Sequence, residues 1–199
     1  MKKYNQLVKK AKFFFDSNQF EDAHNCLLDI LKRFQLDLKI KSNVYLLLAD
    51  VNTRLNNFKN SNNHFFNYLE MNPNDLKALN SIANNYSKMG QYKNAEKYYL
   101  KAITLNKDFV AAIINLAILY DNLGKKSEAL FFYKKAIKID SNNLGVLFNV
   151  YKLEKNILDD EKFSLIKKYL DTDNQDFFNK ASGYFLLAEY EKKKKKYCK

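Results

Sequence analysis

Residues 79–107 read LNSIANNYSKMGQYKNAEKYYLKAITLNK, and residues 113–141 read IINLAILYDNLGKKSEALFFYKKAIKIDS. The two stretches align without a gap, at an offset of 34 residues. The offset matches identical residues in eight places, among them Tyr86 with Tyr120, Gly90 with Gly124, Ala95 with Ala129, Tyr99 with Tyr133, and Ala102 with Ala136. A fixed period of this length is typical of a stack of repeated supersecondary units.

The spacing of apolar residues inside each stretch predicts helices. Ile113, Leu116, Ala117 and Tyr120 follow the i, i+3, i+4, i+7 pattern of one helix face. Each glycine of the aligned pair stands where the first helix of a hairpin must end in a left-handed turn. Each unit is therefore predicted to be two helices joined by a short turn.

The same period extends in both directions along the chain. Counting from the aligned pair predicts four repeats, a degenerate fifth and a partial sixth: residues 4–37, 42–75, 76–109, 110–143, 144–177 and 178–199. Residues 38–41 form an insertion, and the sixth unit is an incomplete repeat or a C-terminal helix with a lysine-rich end.

Several units depart from the pattern of the aligned pair. The second repeat has Asn56 in place of the glycine and Ser61 in place of the first alanine of the second helix. The fifth has Phe163 at that alanine position, so its second helix is expected to pack differently, through Phe163, Ile166 and Leu170. In the sixth unit, Tyr184, Leu187 and Ala188 are expected to occupy the packing positions of a first helix.

This order of large apolar, small, Tyr, Gly, Ala, aromatic and Ala residues resembles the tetratricopeptide (TPR) repeat. The resemblance implies an all-α fold, a right-handed α-solenoid of TPR helix pairs. It also implies a non-catalytic scaffold or adaptor that binds a protein or an extended peptide in a concave groove. In such repeats the first helices line that groove.

Carrying over the groove positions of the family predicts nine peptide-binding residues. They are Lys12, Asn43, Asp50, Lys77, Asn80, Asn84, Asn115, Asn149 and Lys152. Asn115 and Asn149 hold the same position in successive repeats, which resembles the asparagine ladder of O-linked N-acetylglucosamine transferases. An asparagine amide can donate to and accept from a peptide backbone. The alternative is that asparagine, which is common throughout this chain, falls at these positions through composition alone.

A second arrangement found in TPR co-chaperones, the clamp for a C-terminal carboxylate, is matched only in part. Asn84 and Asn115 stand at its asparagine positions. Asn80, Gly145 and Asn149 stand where the clamp has its cations. Binding of a chaperone tail by this clamp is therefore not expected.

The formal net charge of +12 comes almost wholly from lysine, because Arg33 and Arg54 are the only arginines. Arginine supplies the planar fork that reads guanine and clamps phosphate, whereas lysine is a point charge. Specific nucleic-acid binding is therefore not predicted. The run Lys192–Lys196 has two interpretations, a patch for acidic partners or a solvated, frayed helix end.

Catalytic, cofactor and metal motifs are lacking in the sequence. His24 and His64 have no cysteine or carboxylate at ligand spacing, and both are expected to be structural. No glycine-rich phosphate loop or nucleophile elbow occurs, so neither an enzyme nor a cofactor is predicted. The two cysteines, Cys26 and Cys198, and the lack of a signal peptide or an apolar membrane span predict a cytoplasmic protein.

Two alternatives to a simple adaptor remain open. The array could be the N-terminal, substrate-presenting region of a longer or truncated sulfotransferase or glycosyltransferase, because TPR arrays joined to such domains resemble this region. It could also self-associate through the open C-terminal end of the sixth unit. The identity of a peptide partner is not encoded in the groove positions.

Overall fold

The computed structural model describes residues 3–172 and 176–197. This part of the chain forms eleven α-helices and one short 3₁₀ turn, without strands. The helices are α1 (Lys3–Asp16), α2 (Phe20–Arg33), α3 (Leu38–Arg54), α4 (Phe58–Leu69), α5 (Leu76–Lys88), α6 (Tyr92–Leu105), α7 (Val110–Asn122), α8 (Lys126–Ile139), α9 (Leu144–Leu153), α10 (Asp160–Leu170) and α11 (Phe177–Tyr197). The all-α prediction is confirmed. Residues 173–175 of the predicted fifth repeat and Cys198 and Lys199 of the sixth lie outside the described residues.

Four hairpins share the same turn between their two helices. The turn residue is Gly90 in one and Gly124 in another, with φ of 71° and 72°. Asn18 and Asn56 take the same left-handed conformation, with φ of 59° and 57°. In each turn an N–H donates to the carbonyl five residues earlier, at 2.8 or 2.9 Å: Gln19 to Phe14, Asn57 to Asn52, Gln91 to Tyr86 and Lys125 to Tyr120. Asparagine tolerates positive φ better than other side chains, so it replaces glycine here without changing the turn.

Small side chains lie where the paired helices cross. Ten of them are at most 1% exposed: Ala11, Ala23, Ala49, Ser61, Ala83, Ala95, Ala102, Ala117, Ala129 and Ala136. A side chain of one carbon beyond Cα lets two helix axes approach closely, and the larger neighbours fill the space on either side. These positions are the ones at which the sequence pattern predicted small residues.

The chain divides into two compact units, Met1–Lys107 and Asp108–Lys199. The first unit contains α1 to α6. One of its cores joins α1, α2 and α3 around Leu27, Ile30 and Leu48. A second core joins α3, α4 and α5 around Phe65 and Ile82.

The predicted insertion at residues 38–41 is helical. It forms the first turn of α3, and the Asp37 side chain caps that turn by accepting a hydrogen bond from the Ile40 N–H at 2.9 Å. An aspartate cap satisfies one of the N–H groups that a helix start leaves unpaired. The extra residues therefore lengthen α3 to 17 residues and leave the rest of its repeat in register.

The second unit begins with the hairpin α7–α8 and then changes its pattern. After α9 the chain forms a 3₁₀ turn at Lys155–Ile157 in place of the left-handed turn of the four earlier hairpins. Ile166 of α10 is buried in a core with Leu147 and Leu186, and Phe163 and Leu170 pack against that core. The predicted packing residues of this helix are therefore confirmed.

Helix α11 packs on α9 and α10 in a register different from the predicted one. Leu186 and Tyr190 are buried, whereas Tyr184 is 61% exposed and Ala188 is also exposed. Gly183 is buried against α9 and α10, where a Cβ would lie 2.7 Å from Leu144 Cδ1 and 3.0 Å from Leu170 Cδ2. The expectation that Tyr184 and Ala188 pack as in a first helix is wrong, because both face away from the core, whereas Leu187 packs against that core as expected.

We predict that Ala117→Leu destabilises the second unit, whereas Ala111→Leu does not. Ala117 is fully buried and Ala111, on the same helix, is exposed. Overpacking a close helix contact typically costs about 1 to 3 kcal/mol. Thermal unfolding followed by circular dichroism would show a lower midpoint for Ala117→Leu only. Equal midpoints for the two variants would contradict close packing at this position.

Candidate peptide-binding faces of the first helices

The nine predicted residues all lie on the first helix of a pair, and none is fully buried. Lys12, Asn43, Lys77 and Lys152 are exposed. The remaining five, Asp50, Asn80, Asn84, Asn115 and Asn149, are half-buried. On α5 and α7 the buried residues fall at other positions, so these side chains occupy a separate face of the same helices.

The two units contain different parts of this set. The first unit carries Lys12 on α1, Asn43 and Asp50 on α3, and Lys77, Asn80 and Asn84 on α5. The second unit carries Asn115 on α7, and Asn149 and Lys152 on α9. Both members of the proposed asparagine ladder therefore belong to the second unit. The structure gives each unit its own accessible polar face.

Asn84 has the best-defined geometry of the set. The hydroxyl of Tyr99 donates to Asn84 Oδ1 at 2.5 Å. Tyr99 is almost fully buried, and burial raises the pKa of its hydroxyl far above the ordinary value, so it stays a donor. This bond holds Asn84 Oδ1 against the second helix of the same pair.

Asp50 and Arg54 lie one turn apart on α3. Burial raises the pKa of the Asp50 carboxyl, and the Arg54 charge opposes that rise. A half-buried carboxylate of this kind can accept a hydrogen bond from a peptide N–H.

Asn43 is set apart from the other predicted residues. It lines an open cavity of about 720 Å³ between the start of α3 and the end of α4, together with Ser42, Tyr68 and Asn72. None of the other eight predicted residues lines this cavity.

A buried polar network in the first unit was missed by sequence reasoning. Ser61 donates to the Ala49 carbonyl at 2.9 Å and accepts from Asn85 Nδ2 at 2.8 Å. Asn85 Nδ2 also donates to Asn62 Oδ1 at 2.8 Å. These side chains tie α3, α4 and α5 together. The signal in the sequence was Ser61 itself, a polar residue at a position where the following repeats carry Ala95 and Ala129.

His24, Asn52 and His64 extend polar contacts across α2, α3 and α4. Asn52 Nδ2 lies 3.2 Å from His24 Nδ1, and the His64 ring stacks on Tyr45 with centroids 6.1 Å apart. Burial lowers the pKa of both histidines, and the charge of His24 lowers that of His64 further. Among residues 3–172 and 176–197, no group of three or more His, Cys, Asp or Glu is placed to hold a metal ion.

The lysine-rich end is helical as far as Tyr197. Lys194 Nζ lies 3.0 Å from Asp160 Oδ1 on α10, and Tyr190 donates to the same carboxylate. Lys192 lies 3.8 Å from Glu189. The run is therefore not frayed before Tyr197, and part of its charge is paired within the second unit. None of the described helices is both long and apolar enough to cross a membrane.

The hairpins α5–α6 and α7–α8 correspond to a known repeat. Residues 76–109 and 110–143 each match the family model of the tetratricopeptide repeat. They are two TPR repeats. No curated protein sequence matches the chain at a significant level.

Solved TPR structures share the fold over almost the whole chain. MamA, from residue 41 to its end, of Desulfovibrio magneticus is 14% identical, with a TM-score of 0.68 over 97% of each chain. A tetratricopeptide repeat protein of Parabacteroides merdae is 16% identical, with a TM-score of 0.68 over 95% of this chain and 75% of its own. YrrB, described as a TPR protein with an unusual peptide-binding site, is 17% identical, with a TM-score of 0.58 over 94% of this chain and 90% of its own. At such low identity the likeness concerns the fold.

We predict that the protein loses stability as the pH falls below about 7, because unfolded histidine has a pKa of about 6.5 and binds protons more readily than His24 or His64 does in the fold. The stability is fully present above the unfolded pKa. The loss is at most about 1.4 kcal/mol per pH unit for each histidine, and less for His24, which is partly solvated.

Urea unfolding at about pH 7.5 and about pH 5.5 measures this slope, since histidine titrates in that range. The matched variant is His24→Gln, His64→Phe, in which glutamine keeps an acceptor for Asn52 and phenylalanine keeps the ring on Tyr45. The Asp50 carboxyl has a raised pKa, so its protonation stabilises the fold as the pH falls further, and it does so equally in both proteins. If the free energy of unfolding of the variant depended on pH as strongly as that of the parent, the two histidines would not be the cause.

Proposed function

We propose that this protein is a non-catalytic TPR adaptor that binds an extended peptide along the polar faces of its first helices. The observation that carries the proposal is the recurrence of Asn115 and Asn149 at one repeat position, both half-buried in the second unit. A half-buried side chain on a helix keeps part of its surface in contact with solvent.

The asparagine pair suits a partner that is recognised through its backbone. Each amide presents a donor and an acceptor in one plane, as each peptide group does. Residues at one repeat position lie on successive first helices, so they are spaced along a stack rather than clustered. Such an arrangement fits an extended chain and tolerates many side chains. The TPR fold supports this proposal, because stacked helical repeats use their surfaces to bind proteins.

Charge favours an acidic segment as the partner. The whole chain carries a formal charge of +12, and three of the nine predicted residues are the lysines Lys12, Lys77 and Lys152. Lys152 Nζ lies 6.0 Å from the centroid of the Phe148 ring, so an aromatic ring lies beside one of these cations. A basic surface raises the encounter rate with acidic partners and makes that rate depend on salt.

The remaining partner and location predictions belong to the same proposal. We infer a cytoplasmic location, in keeping with the sparse cysteines and with Cys26 as a free thiol. Burial raises the pKa of that thiol, and Sγ contacts the Leu7 carbonyl at 3.7 Å. The alternative of a substrate-presenting region in a sulfotransferase or glycosyltransferase stays a prediction. Reading the gene beyond Lys199 tests it.

The test of the peptide face compares two pairs of asparagine substitutions. We predict that Asn115→Ala, Asn149→Ala weakens binding of a captured peptide about tenfold or more, because each lost hydrogen bond contributes about 1 kcal/mol. The matched control is Asn60→Ala, Asn63→Ala, which removes two exposed amides from α4, a second helix.

Partners are first recovered by affinity capture from the native host, and a peptide from one of them is then titrated by fluorescence anisotropy. Circular dichroism checks that both double variants keep the parent's helical content. If the Asn115→Ala, Asn149→Ala variant bound the peptide with unchanged affinity, these two residues would not be the peptide-binding residues. An equal loss in the control pair would show that the effect is not specific to the first helices.

A further inference from the structure

Among the described residues, helix α11 has two apolar faces: one is buried, and the other is only partly covered, by contacts of Phe178 and Phe185 with α9. Its inner face buries Leu186 and Tyr190 against α9 and α10. Its outer face exposes four aromatic side chains: Phe177 at 88%, Phe178 at 62%, Tyr184 at 61% and Phe185 at 45%.

The outer residues form one continuous stripe. The aromatic pair Phe177–Phe178 recurs seven residues later as Tyr184–Phe185, and the exposed residues Ala181 and Ala188 are also seven apart. A seven-residue repeat keeps side chains on one side of a helix. Large and small residues therefore alternate along the stripe, as they do where the helices of the four regular hairpins cross.

Two of the aromatic rings are already held in place by α9. The Phe185 ring packs edge-on against Phe148, with centroids 5.1 Å apart. The Phe178 ring covers Gly145, where an added Cβ would lie 2.5 Å from Phe178 Cε1. Rings that are fixed before binding lose little conformational freedom when a partner covers them.

We propose that the outer face of α11 binds the same face of a second copy, with the two helices antiparallel. This inference names the surface through which the protein would self-associate, a point that the proposed function leaves open. The surface does not include the proposed peptide-binding residues. A two-fold axis level with residue 183 places Phe185 level with the partner's Ala181 and Phe178 level with the partner's Ala188, so these large side chains meet small ones. The two Tyr184 side chains lie next to each other at the axis, about 3 Å apart along it.

Charge selects the antiparallel direction. The stripe begins beside Asp176 and ends at Lys192 and Lys195, which are exposed. Antiparallel copies bring the acidic end of one stripe to the basic end of the other, whereas parallel copies would place the lysine runs side by side.

The exposed aromatic area is more than half of what one partner contributes to a standard interface. An aromatic side chain can bury about 150 to 250 Å², so the four exposed fractions amount to roughly 500 Å². A standard interface buries about 800 Å² per partner. The two alanines and the charged rim at Glu191 and Lys192 extend the stripe toward that value. Because the same surface is used on both sides, the assembly closes as a dimer.

Sedimentation equilibrium of the full chain over a wide concentration range tests this interface. We expect a reversible monomer–dimer equilibrium, and a dissociation constant at least tenfold higher for Tyr184→Glu and for Ala181→Lys. The matched control is Phe131→Glu, which alters an aromatic residue of α8 that is 64% exposed and should leave the equilibrium unchanged. Circular dichroism verifies that each variant is folded. If one of the two interface variants does not fold, the other still tests the interface.

Cysteine cross-linking in a Cys198→Ser background tests the direction. In the antiparallel arrangement, an oxidised mixture of Phe178→Cys and Ala188→Cys chains forms mixed dimers. The Ala188→Cys chain alone does not cross-link, because its two copies lie about 15 Å apart along the axis, at 1.5 Å per residue. Self-cross-linking of Ala188→Cys would overturn the antiparallel assignment.

Three results would overturn the proposal as a whole. A monomer at every concentration removes the dimer, and a Tyr184→Glu dimer as tight as the parent places the contact elsewhere. Binding of the monomer to vesicles of anionic lipid, abolished by Tyr184→Glu, would assign the stripe to a membrane surface instead. Peptide titration of Tyr184→Glu separates this outcome from the proposed function, because peptide affinity depends on Asn115 and Asn149 and should be kept.

Discussion

Close approach of paired helices at small, fully buried side chains is the constraint on which the structure depends. Ala83 and Ala95 in one hairpin, and Ala117 and Ala129 in the next, have no solvent exposure. A larger residue at any of these positions would push the helices apart, because the packed interior has no room to absorb it. The same contact fixes which sides of the first helices face inward. The remaining side, which carries the proposed peptide-binding residues, is fixed as a consequence.

Much of the fold could be predicted because its determinants are local in the sequence. Gly90 and Gly124 predict a left-handed turn without reference to any other part of the chain. The sequence pattern marks Asn56 as a departure from that glycine, yet its φ of 57° shows that the turn is unchanged. The packing register of α11 could not be predicted, since its contacts, such as that of Gly183 with Leu144, join parts of the chain that are distant in sequence. The buried network of Ser61 and Asn85 was missed for the same reason, because neither residue shows its partner in the sequence.

The proposed site was predictable only in part. The repeat positions gave residues that are exposed or half-buried on the first helices, because periodicity determines which side of a helix faces the core. Periodicity does not report what a side chain bonds to. The bond from Tyr99 to Asn84 and the separate cavity beside Asn43 therefore emerged only from the structure. The exposed aromatic stripe of α11 was also hidden, because the helix has apolar residues on both faces and the pattern cannot tell which face is covered.

Native-state hydrogen exchange, resolved by residue, tests the nesting of paired helices most directly. If each hairpin is a unit held together by its buried alanines, the amides of Ala117 on α7 and Ala129 on α8 should open with the same free energy and the same dependence on denaturant. Independent exchange would contradict the account. In that case α8 would exchange as freely as a surface turn while α7 stayed protected, and the first helices would not need their partners to present a fixed face.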